Sequence, residues 1–357
     1  MALEIYSTNN LVQVVKKARV PGTFLRTRYM PTGPRDIFKT KKVFIERSDD
    51  GNLAAPFVIP YTGSVLMERE AYTGEEMAPA FLNPARDMTI DQLMKKGIGE
   101  TLYDETTPEE REMNYLADDL IYLQKAIQRS QEWMCGQIIT NGYVDCVIGD
   151  TSSTRKVRFK YYDSSFTNKM VFLDGSSNPE YWDASGADIY AHISDMANDI
   201  DGEYGDLDLI LGASLVSVFL SDQSILERLN IRNANFGALN PGETLLPGVG
   251  FLGAMNFGGK TLNIYSYNAK AKVNGSEVSF IDPKYAVVIP RNGFGATKFG
   301  SITQMEEEDR GYHTYASEMV PRIITDPKSN QRLLEMASAP LPHPYALDSW
   351  RVEKALA

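Results

Sequence analysis

The longest regular pattern of apolar and polar positions in this 357-residue chain predicts a helix. Thr107, Pro108 and Glu110 supply an N-cap, a first-turn proline and a capping-box glutamate, and no proline follows before about Ile139. The chain from Thr107 to about Ile139 is therefore expected to form one continuous rod, roughly 45–50 Å long. The apolar residues recur at spacings of three, four and seven: Met113, Leu116, Leu120, Leu123, Ile127 and Met134. The stripe from Met113 to Ile127 should pack on the sheet that holds the C-terminal strands.

A strand-like segment precedes this helix and has no visible core of its own. Between Val43 and Ile90, short apolar runs alternate with prolines and glycines, and proline is tolerated on edge strands but not in central ones. We interpret the segment as a long two-stranded excursion. Its apolar residues are expected to be buried on something outside it, for which another copy of the chain is the simplest partner. An edge hairpin on an ordinary domain is the alternative.

The remaining patterns predict an arm at the start of the chain and α/β structure after the long helix. Leu11–Ala18 is amphipathic, and the aromatic and basic stretch Thr23–Phe38, with two prolines, is typical of an extended arm rather than a helix. The later elements are a hairpin of Val144–Ile148 with Arg155–Tyr161, a helix over Ala187–Ile200, a strand over Leu207–Leu211, helices over Ser214–Leu220 and Ile225–Leu229, a hairpin of Thr261–Tyr267 against Val278–Ile281, and strands over Arg332–Ala339 and Trp350–Ala355.

Composition narrows the function classes only a little. The chain carries 36 basic and 47 acidic side chains, a net charge of −11, which argues against a dedicated nucleic-acid binder because such proteins are basic. Two cysteines, Cys135 and Cys146, indicate no disulfide framework. The N-terminus does not resemble a signal peptide, and no apolar run reaches the roughly 20 residues of a membrane span. We expect a soluble chain that is intracellular when made.

Candidate chemistry fails at each motif. Phe257–Thr261 is similar to a phosphate loop, but Ala254 stands where that motif needs a glycine, and the residues that follow alternate like a strand. A tight hairpin entry is the better interpretation. Gly212–Ser214 begins like a nucleophile elbow, but Val216 replaces the second glycine. The three histidines form no pair with metal-ligand spacing. We therefore predict no catalytic, cofactor-binding or metal-binding residues and no enzyme activity.

Segments spread over most of the chain share the sequence pattern of one family. They are Gly63–Glu70 with Phe81–Arg86, the helix from Glu109 to about Ile139, Ile225–Asn233, Asn274-Gly275 with Ile281–Pro283 and Ala286–Ile289, and the most specific part, Arg322–Pro327 with Met336–Leu341. Together they resemble the major capsid protein E family of tailed phages, the lambda-type major head proteins. The resemblance implies an α+β, Hong Kong 97-like coat fold with an N-terminal arm, an extended β loop, a spine helix on a peripheral-domain sheet, and an α/β axial domain.

The resemblance also implies a division of the chain into five parts. Residues 1–42 would form the N-terminal arm and residues 43–97 the extended loop. The peripheral domain with the spine helix would cover residues 98–185, and the axial domain residues 186–324. Residues 325–357 would be C-terminal strands that return to the peripheral domain.

In function, the resemblance implies a major capsid protein that assembles as hexamers and pentamers into an icosahedral shell around phage double-stranded DNA. Its expected partners are itself, a scaffolding protein during assembly, a portal, a decoration protein, and packaged DNA without sequence specificity; no cofactor and no membrane are expected. The chain would be found in the virion capsid, and in the host cytoplasm during assembly. Two alternatives stay open: an intracellular hydrolase or transferase with a dispersed site, and a shell-forming nanocompartment protein of the same fold.

The subunit interface is expected on the extended loop. Arg69 points opposite to Glu68 and Glu70 because side chains alternate along a strand, so we expect Arg69 or Arg86 to meet a carboxylate of a neighbouring subunit. The complete predicted interface is Phe57, Val58, Ile59, Val65, Leu66, Met67, Glu68, Arg69, Glu70 and Arg86.

Overall fold

The computed structural model describes residues 8, 11–12, 23–47, 73–89, 108–148, 155–161, 166–174, 176–184, 186–200, 205–229, 237–246, 248–273, 276–306, 310–326 and 331–357. The helices are, in chain order, α1 (Phe24–Tyr29), α2 (Pro108–Asn141), α3 (Ile189–Asn198), α4 (Leu215–Ser221) and α5 (Gln223–Leu229). The strands are β1 (Val43–Arg47), β2 (Thr73–Met77), β3 (Ala85–Thr89), β4 (Tyr143–Ile148), β5 (Arg155–Lys160), β6 (Lys169–Met170), β7 (Leu207–Gly212), β8 (Gly237–Leu246), β9 (Val249–Phe257), β10 (Lys260–Tyr267), β11 (Lys270–Val273), β12 (Ser276–Ser279), β13 (Tyr285–Pro290), β14 (Gly295–Phe299), β15 (Ile302–Met305), β16 (Tyr312–Tyr315), β17 (Val320–Asp326), β18 (Gln331–Ala337), β19 (Pro340–Pro344) and β20 (Arg351–Lys354).

The largest sheet has the strand order β6-β20-β13-β7-β10-β9-β8. β10 runs parallel to β7 and β20 parallel to β6, and the other neighbours are antiparallel. Successive side chains of a strand point to opposite faces, so Leu209 and Leu211 of β7 join one buried cluster with α3 and α4. Ile210 joins the other cluster, with α1 and the C-terminal half of α2. Helices therefore bury both faces of this sheet.

The predicted long helix is confirmed as α2, one continuous helix of 34 residues. Its N-cap, Thr107, lies outside the described residues. Leu116, Leu120, Leu123 and Ile127 are buried against β3 and β18 of the three-stranded sheet β17-β18-β3, which confirms the packing of the stripe on the C-terminal strands.

The prediction is wrong for Met113, whose side chain is 52% exposed. At 100° per residue Met113 lies about 50° from the centre of the buried stripe. The neighbouring Glu112 forms an ion pair with Arg332 of β18, so the helix meets the sheet there through polar groups.

The prediction of an extended arm over Thr23–Phe38 is wrong. Phe24–Tyr29 forms α1, and Phe24, Leu25, Tyr29 and Met30 are buried in the main cluster. The basic residues that suggested a solvated arm bind carboxylates instead: Arg26 lies 2.6 Å from Glu318 and Arg28 lies 2.7 Å from Asp208.

At the base of the segment, the expectation that another copy of the chain covers its apolar residues is wrong, because the rest of the same chain covers them. β1 pairs with β2, and Val43 and Ile45 are fully buried in the main cluster of the same chain, while Phe44 between them is 44% exposed. Met88 of β3 is buried under α2. Pairing within the chain therefore covers the inward face of this base, and residues 48–72 and 90–107 lie outside the described residues.

The hairpin predicted between Thr261–Tyr267 and Val278–Ile281 is wrong in its pairing. β10 pairs with β9 and β7, whereas β12 pairs with β11. Gly258 and Gly259, with φ of 58° and 94°, form the tight turn that folds β9 back on β10, because glycine adopts positive φ without steric cost. The tight hairpin entry expected at Phe257–Thr261 is thus confirmed.

The other helices and strands predicted after the long helix are present in the structure. β4 and β5 form the expected antiparallel pair. α3, β7, α4 and α5 occupy the predicted helix and strand positions, and β18 and β20 are the expected terminal strands. β19, which pairs with β14, was not predicted, since its three prolines do not follow a strand pattern.

Candidate assembly surface

Of the residues predicted to form the subunit interface, only Arg86 is described by the structure; it lies on β3. Its guanidinium is 2.5 Å from Asp119 of α2 and 3.9 Å from the centre of the Tyr122 ring. The Arg86 side chain is 43% exposed and the Asp119 side chain 13%. A guanidinium has five N–H donors, so the pair with Asp119 leaves donors for a second carboxylate. The intersubunit role of Arg86 stays a prediction.

The other predicted interface residues lie outside the described residues, and their contact with a neighbouring subunit stays a prediction as well. They are Phe57, Val58, Ile59, Val65, Leu66, Met67, Glu68, Arg69 and Glu70.

Ion pairs within the chain fasten α2 to the sheet beside Arg86. Glu112 pairs with Arg332, and on the same sheet Arg322 lies 2.6 Å from Glu335. The carboxylate of Glu112, near the start of α2, therefore stabilises the fold of its own subunit. The side chains of Glu109 and Glu110 are not described.

Several large apolar side chains are exposed at positions that the sequence analysis did not single out. Met305 and Tyr312 face each other at the end of the ribbon formed by β15 and β16, and they are 48% and 80% exposed. Phe81, just before β3, is 61% exposed, and Val171 and Leu173 beside edge strand β6 are 66% and 57% exposed. The alternation of apolar and polar residues predicts a strand, but it does not say which face of that strand other elements cover. The sequence therefore could not distinguish these exposed residues from core residues.

A buried carboxylate joins α1, α2 and the main sheet. Glu132 of α2 is 3% exposed and accepts hydrogen bonds from the backbone N–H groups of Leu25 (2.8 Å) and Arg26 (2.9 Å) and from the Tyr267 hydroxyl (2.9 Å). Burial raises the pKa of Glu132, although these hydrogen bonds oppose the shift. Because the first N–H groups of a helix lack internal partners, Glu132 fixes the start of α1 on α2.

A second buried carboxylate, Asp208 of β7, is fully inaccessible and accepts hydrogen bonds from α1 and from the residue that follows β13. Arg28 lies 2.7 Å away, the Tyr29 hydroxyl 3.0 Å and Arg291 3.4 Å. Burial and the charge of Asp208 raise the pKa of Tyr29 well above its usual value. Removing one partner of such a buried pair leaves an uncompensated charge and is strongly destabilising.

His192 of α3 forms a third buried polar group. Its ring lies 3.0 Å from Glu353 of β20 and 3.4 Å from Glu180, and it stacks on Phe172 at 4.0 Å between ring centres. Burial lowers the pKa of His192, but the hydrogen bonds and charges of Glu353 and Glu180 together outweigh it, and the pKa is raised overall. The indole of Trp182 also donates to Glu353, which ties the C-terminal strand to α3.

Within the described part of the chain, no three His, Cys, Asp or Glu side chains gather as metal ligands. Over the same residues, no helix combines the length and apolar character that crossing a bilayer requires. The polar clusters described above join elements of the fold, and the exposed apolar positions lie at its edges. This arrangement fits a protein that acts through contacts between surfaces.

A long helix on a small sheet, beside a mixed seven-stranded sheet, defines the class of protein, and solved structures share it. The crystal structure described as a prophage capsid protein of E. coli CFT073 is similar with a TM-score of 0.65 at 16% identity, over 98% of this chain and 99% of that chain. A phage-related protein from Bordetella bronchiseptica RB50 is similar with a TM-score of 0.51 at 11% identity, over 97% and 96%. The α+β, Hong Kong 97-like coat fold is thereby confirmed.

The family follows from the sequence itself. The family model of phage major capsid protein E matches residues 7–351, and this chain belongs to that family. It is a shell-forming phage capsid protein, with a structural role in the capsid. Among curated proteins, none matches the sequence.

Proposed function

We propose that this chain assembles as hexamers and pentamers into an icosahedral shell that encloses phage double-stranded DNA. The observation that carries the proposal is the match of the phage major capsid protein E model to residues 7–351, nearly the whole chain. The polar clusters at Glu132, Asp208 and His192 support it, because each is used up in joining elements of one subunit.

The proposal includes the five-part division of the chain. Residues 1–42 would be the arm, 43–97 the extended loop, 98–185 the peripheral domain, 186–324 the axial domain and 325–357 the returning strands. Two boundaries are less sharp than the sequence suggested, because α1 and the base of the loop share the main core cluster with α2 and β10. In this proposal, the portion of the loop beyond β1 and β2, together with Arg86 of β3, reaches the neighbouring subunit.

The interface would use Phe57, Val58, Ile59, Val65, Leu66 and Met67 as apolar contacts and Glu68, Arg69, Glu70 and Arg86 as polar ones. Specific interfaces usually bury at least about 1,000 Å², which an extended apolar loop supplies more readily than a flat surface. The partial exposure of Arg86 is compatible with a second, intersubunit carboxylate.

The proposed partners are a scaffolding protein during assembly in the host cytoplasm, a portal, a decoration protein, and DNA bound without sequence specificity. The net charge of −11 supports weak contact with DNA, because a strongly basic surface would hold the phosphate backbone tightly.

Purification of the expressed chain, size-exclusion chromatography and negative-stain microscopy test the proposal. We expect capsomers or closed shells, and DNA inside particles made during infection. A chain that stays a monomer or small oligomer under all assembly conditions, including in the presence of its phage's other head proteins, would refute it. Closed shells that hold a protein cargo and never DNA would favour a nanocompartment.

A further inference from the structure

Two adjoining clefts between the spine helix α2 and the hairpin of β11 and β12 form a groove with basic walls. The first cleft, of about 490 Å³, is lined by Lys125 and Arg129 of α2 and by Lys270 of β11. The second, of about 550 Å³, is lined by Arg129, Lys270 and Lys272. Arg129 and Lys270 line both clefts, so the clefts adjoin. We call this surface, defined by Lys125, Arg129, Lys270 and Lys272, the basic groove.

These four cations have no ion-pair partner among the described residues, although they lie close together on the walls of one groove. By contrast Arg322 and Arg351 each bind a carboxylate of their own subunit. Two carboxylates line the groove: Glu132 is buried and engaged with α1 and Tyr267, and Glu277 is exposed on β12 opposite Lys272. The four cations therefore outnumber the carboxylates on the groove walls, on a chain whose net charge is −11.

The walls also contain apolar surface, which indicates the kind of occupant. Phe24, Val249 and Phe280 line the first cleft beside the cations. A DNA duplex is much wider than a cleft of about 490 Å³, so its phosphates would touch cations at the rim without reaching the apolar walls. A peptide segment that carries both carboxylates and apolar side chains matches the groove in charge and in surface chemistry.

We propose that the basic groove binds a carboxylate-bearing segment of a second copy of this chain. The inference rests on the proposed function, because in a shell every subunit is surrounded by further copies, and these copies carry an excess of carboxylates. Arg86 lies at the same surface, since its guanidinium stacks on Tyr122, and Tyr122 lines the second cleft. Opposite charges across such an interface orient the subunits and reject wrong partners.

Zero-length crosslinking identifies the occupant. Shells are assembled from an equal mixture of unlabelled and heavy-nitrogen-labelled chains and treated with a carbodiimide, which joins lysine amines to carboxylates in direct contact. We expect Lys125, Lys270 or Lys272 to be crosslinked to an Asp or Glu peptide of the opposite label. Crosslinks that join only chains of one label would overturn the proposal, since they lie within one subunit. Crosslinks to a different protein, or protection of these lysines only in DNA-filled shells, would assign the groove to another partner and also overturn it.

A charge-reversal pair of variants gives an independent test. The groove variant Lys125→Glu/Arg129→Glu/Lys270→Glu is compared with Arg35→Glu/Lys39→Glu/Lys41→Glu, which changes the same residue types on an exposed stretch elsewhere. We expect the groove variant to raise the protein concentration needed for shells at least about tenfold, with the thermal melt of the unassembled chain unchanged, while the control assembles like the wild type. If the groove variant does not fold, Lys270→Glu/Lys272→Glu on the exposed hairpin replaces it.

Assembly of either groove variant at the wild-type concentration would contradict the proposal. Failure of the wild-type chain itself to form shells would instead sink the proposed function, so the two failures are distinguishable.

Discussion

Single buried polar residues hold together parts of this chain that are far apart in sequence. Glu132 joins α2 to the start of α1 and to β10, and Asp208 joins β7 to Arg28 and Arg291. Removing one partner of such a group leaves the other without its hydrogen bonds in a site that water does not reach, and this costs more than the bond contributes. At this scale, the fold of one subunit depends on buried polar residues that join its own elements.

The first prediction concerns Glu132→Gln. The variant stays neutral and turns an amide NH₂ toward backbone donors, so we expect it to lower the free energy of unfolding by about 1–3 kcal/mol near pH 4. In the wild type, burial raises the pKa of Glu132 above its ordinary value of 4.5. The stability that this group contributes is therefore complete below the ordinary pKa and is lost as the pH rises through the folded value.

The difference in free energy of unfolding between the wild type and Glu132→Gln should thus be largest at acidic pH and should become smaller as the pH rises. Urea unfolding of the unassembled chain across this range measures it. Glu277→Gln, an exposed carboxylate on β12, serves as the control and should show no such trend. A deficit that grows with pH would contradict the assigned direction of the pKa shift.

At the scale of elements, the two halves of α2 pack into two different hydrophobic clusters. Its first half lies on the three-stranded sheet through Leu116, Leu120, Leu123 and Ile127. Its second half enters the main cluster through Met134, Cys135, Ile138 and Ile139 and meets the Phe280 backbone at Gly136. The helix therefore links the three-stranded sheet to the seven-stranded sheet, so substitutions along it should test two separate cores.

The second prediction compares two positions of the same stripe. Leu120→Ala should lower the free energy of unfolding by about 2–5 kcal/mol, because the side chain is 4% exposed and its removal leaves a cavity. Met113→Ala, at a 52% exposed position, should change it by less than about 0.5 kcal/mol. Chemical unfolding of the unassembled variants measures both. Equal losses would mean that the first turns of α2 are packed as tightly as its middle.

The third prediction is that a glycine-to-alanine substitution in a helix destabilises this protein, which is the opposite of its usual effect. Replacing a helical glycine with alanine normally stabilises a helix by about 1 kcal/mol. A Cβ at Gly136, however, would overlap the backbone carbonyl oxygen of Phe280, and backbone cannot move aside as a side chain does. Gly136→Ala should therefore lower the melting temperature of the unassembled chain, whereas Ala126→Gly, on the same helix beside the groove, should lower it only by the loss of helix propensity. An unchanged or higher melt for Gly136→Ala would refute the close approach.

At the scale of the whole molecule, the described residues bury their core within one chain and leave several large apolar side chains exposed. The base of the extended loop is packed inside the subunit, whereas exposed apolar side chains such as Phe81, Met305 and Tyr312 remain at the edges. Exposed ion pairs contribute only about 0–1 kcal/mol each, but a shell repeats them in every copy. Assembly built from many weak contacts stays reversible enough to correct errors.

The fourth prediction tests the charged contact of the loop. Arg69→Glu/Arg86→Glu should abolish shells in sedimentation, because both arginines would then repel the carboxylates they are proposed to meet. The thermal melt of the unassembled chain should change little, since the Arg86–Asp119 pair is partly exposed. Asp119→Asn serves as the control: it removes the internal partner of Arg86 and should leave assembly intact. Normal shells from the double variant would refute the intersubunit role, and a collapsed melt would assign the arginines to the fold.

Several features followed from the sequence alone because they depend on local spacing. The long helix, its buried stripe, β4 with β5, and the glycine turn before β10 each rest on residues within a few positions of one another. The family resemblance also came from sequence, since it draws on segments along most of the chain.

Only the tertiary structure decided which distant elements meet. The burial of α1, the pairing of β10 with β7 and the partners of Glu132 and Asp208 connect residues more than 50 positions apart, and no local pattern encodes such pairing. The basic groove is of the same kind. Tyr122, Lys125 and Arg129 share one face of α2 at helical spacing, which the sequence could have indicated. Their proximity to Lys270 exists only because the hairpin of β11 and β12 folds back beside the spine helix.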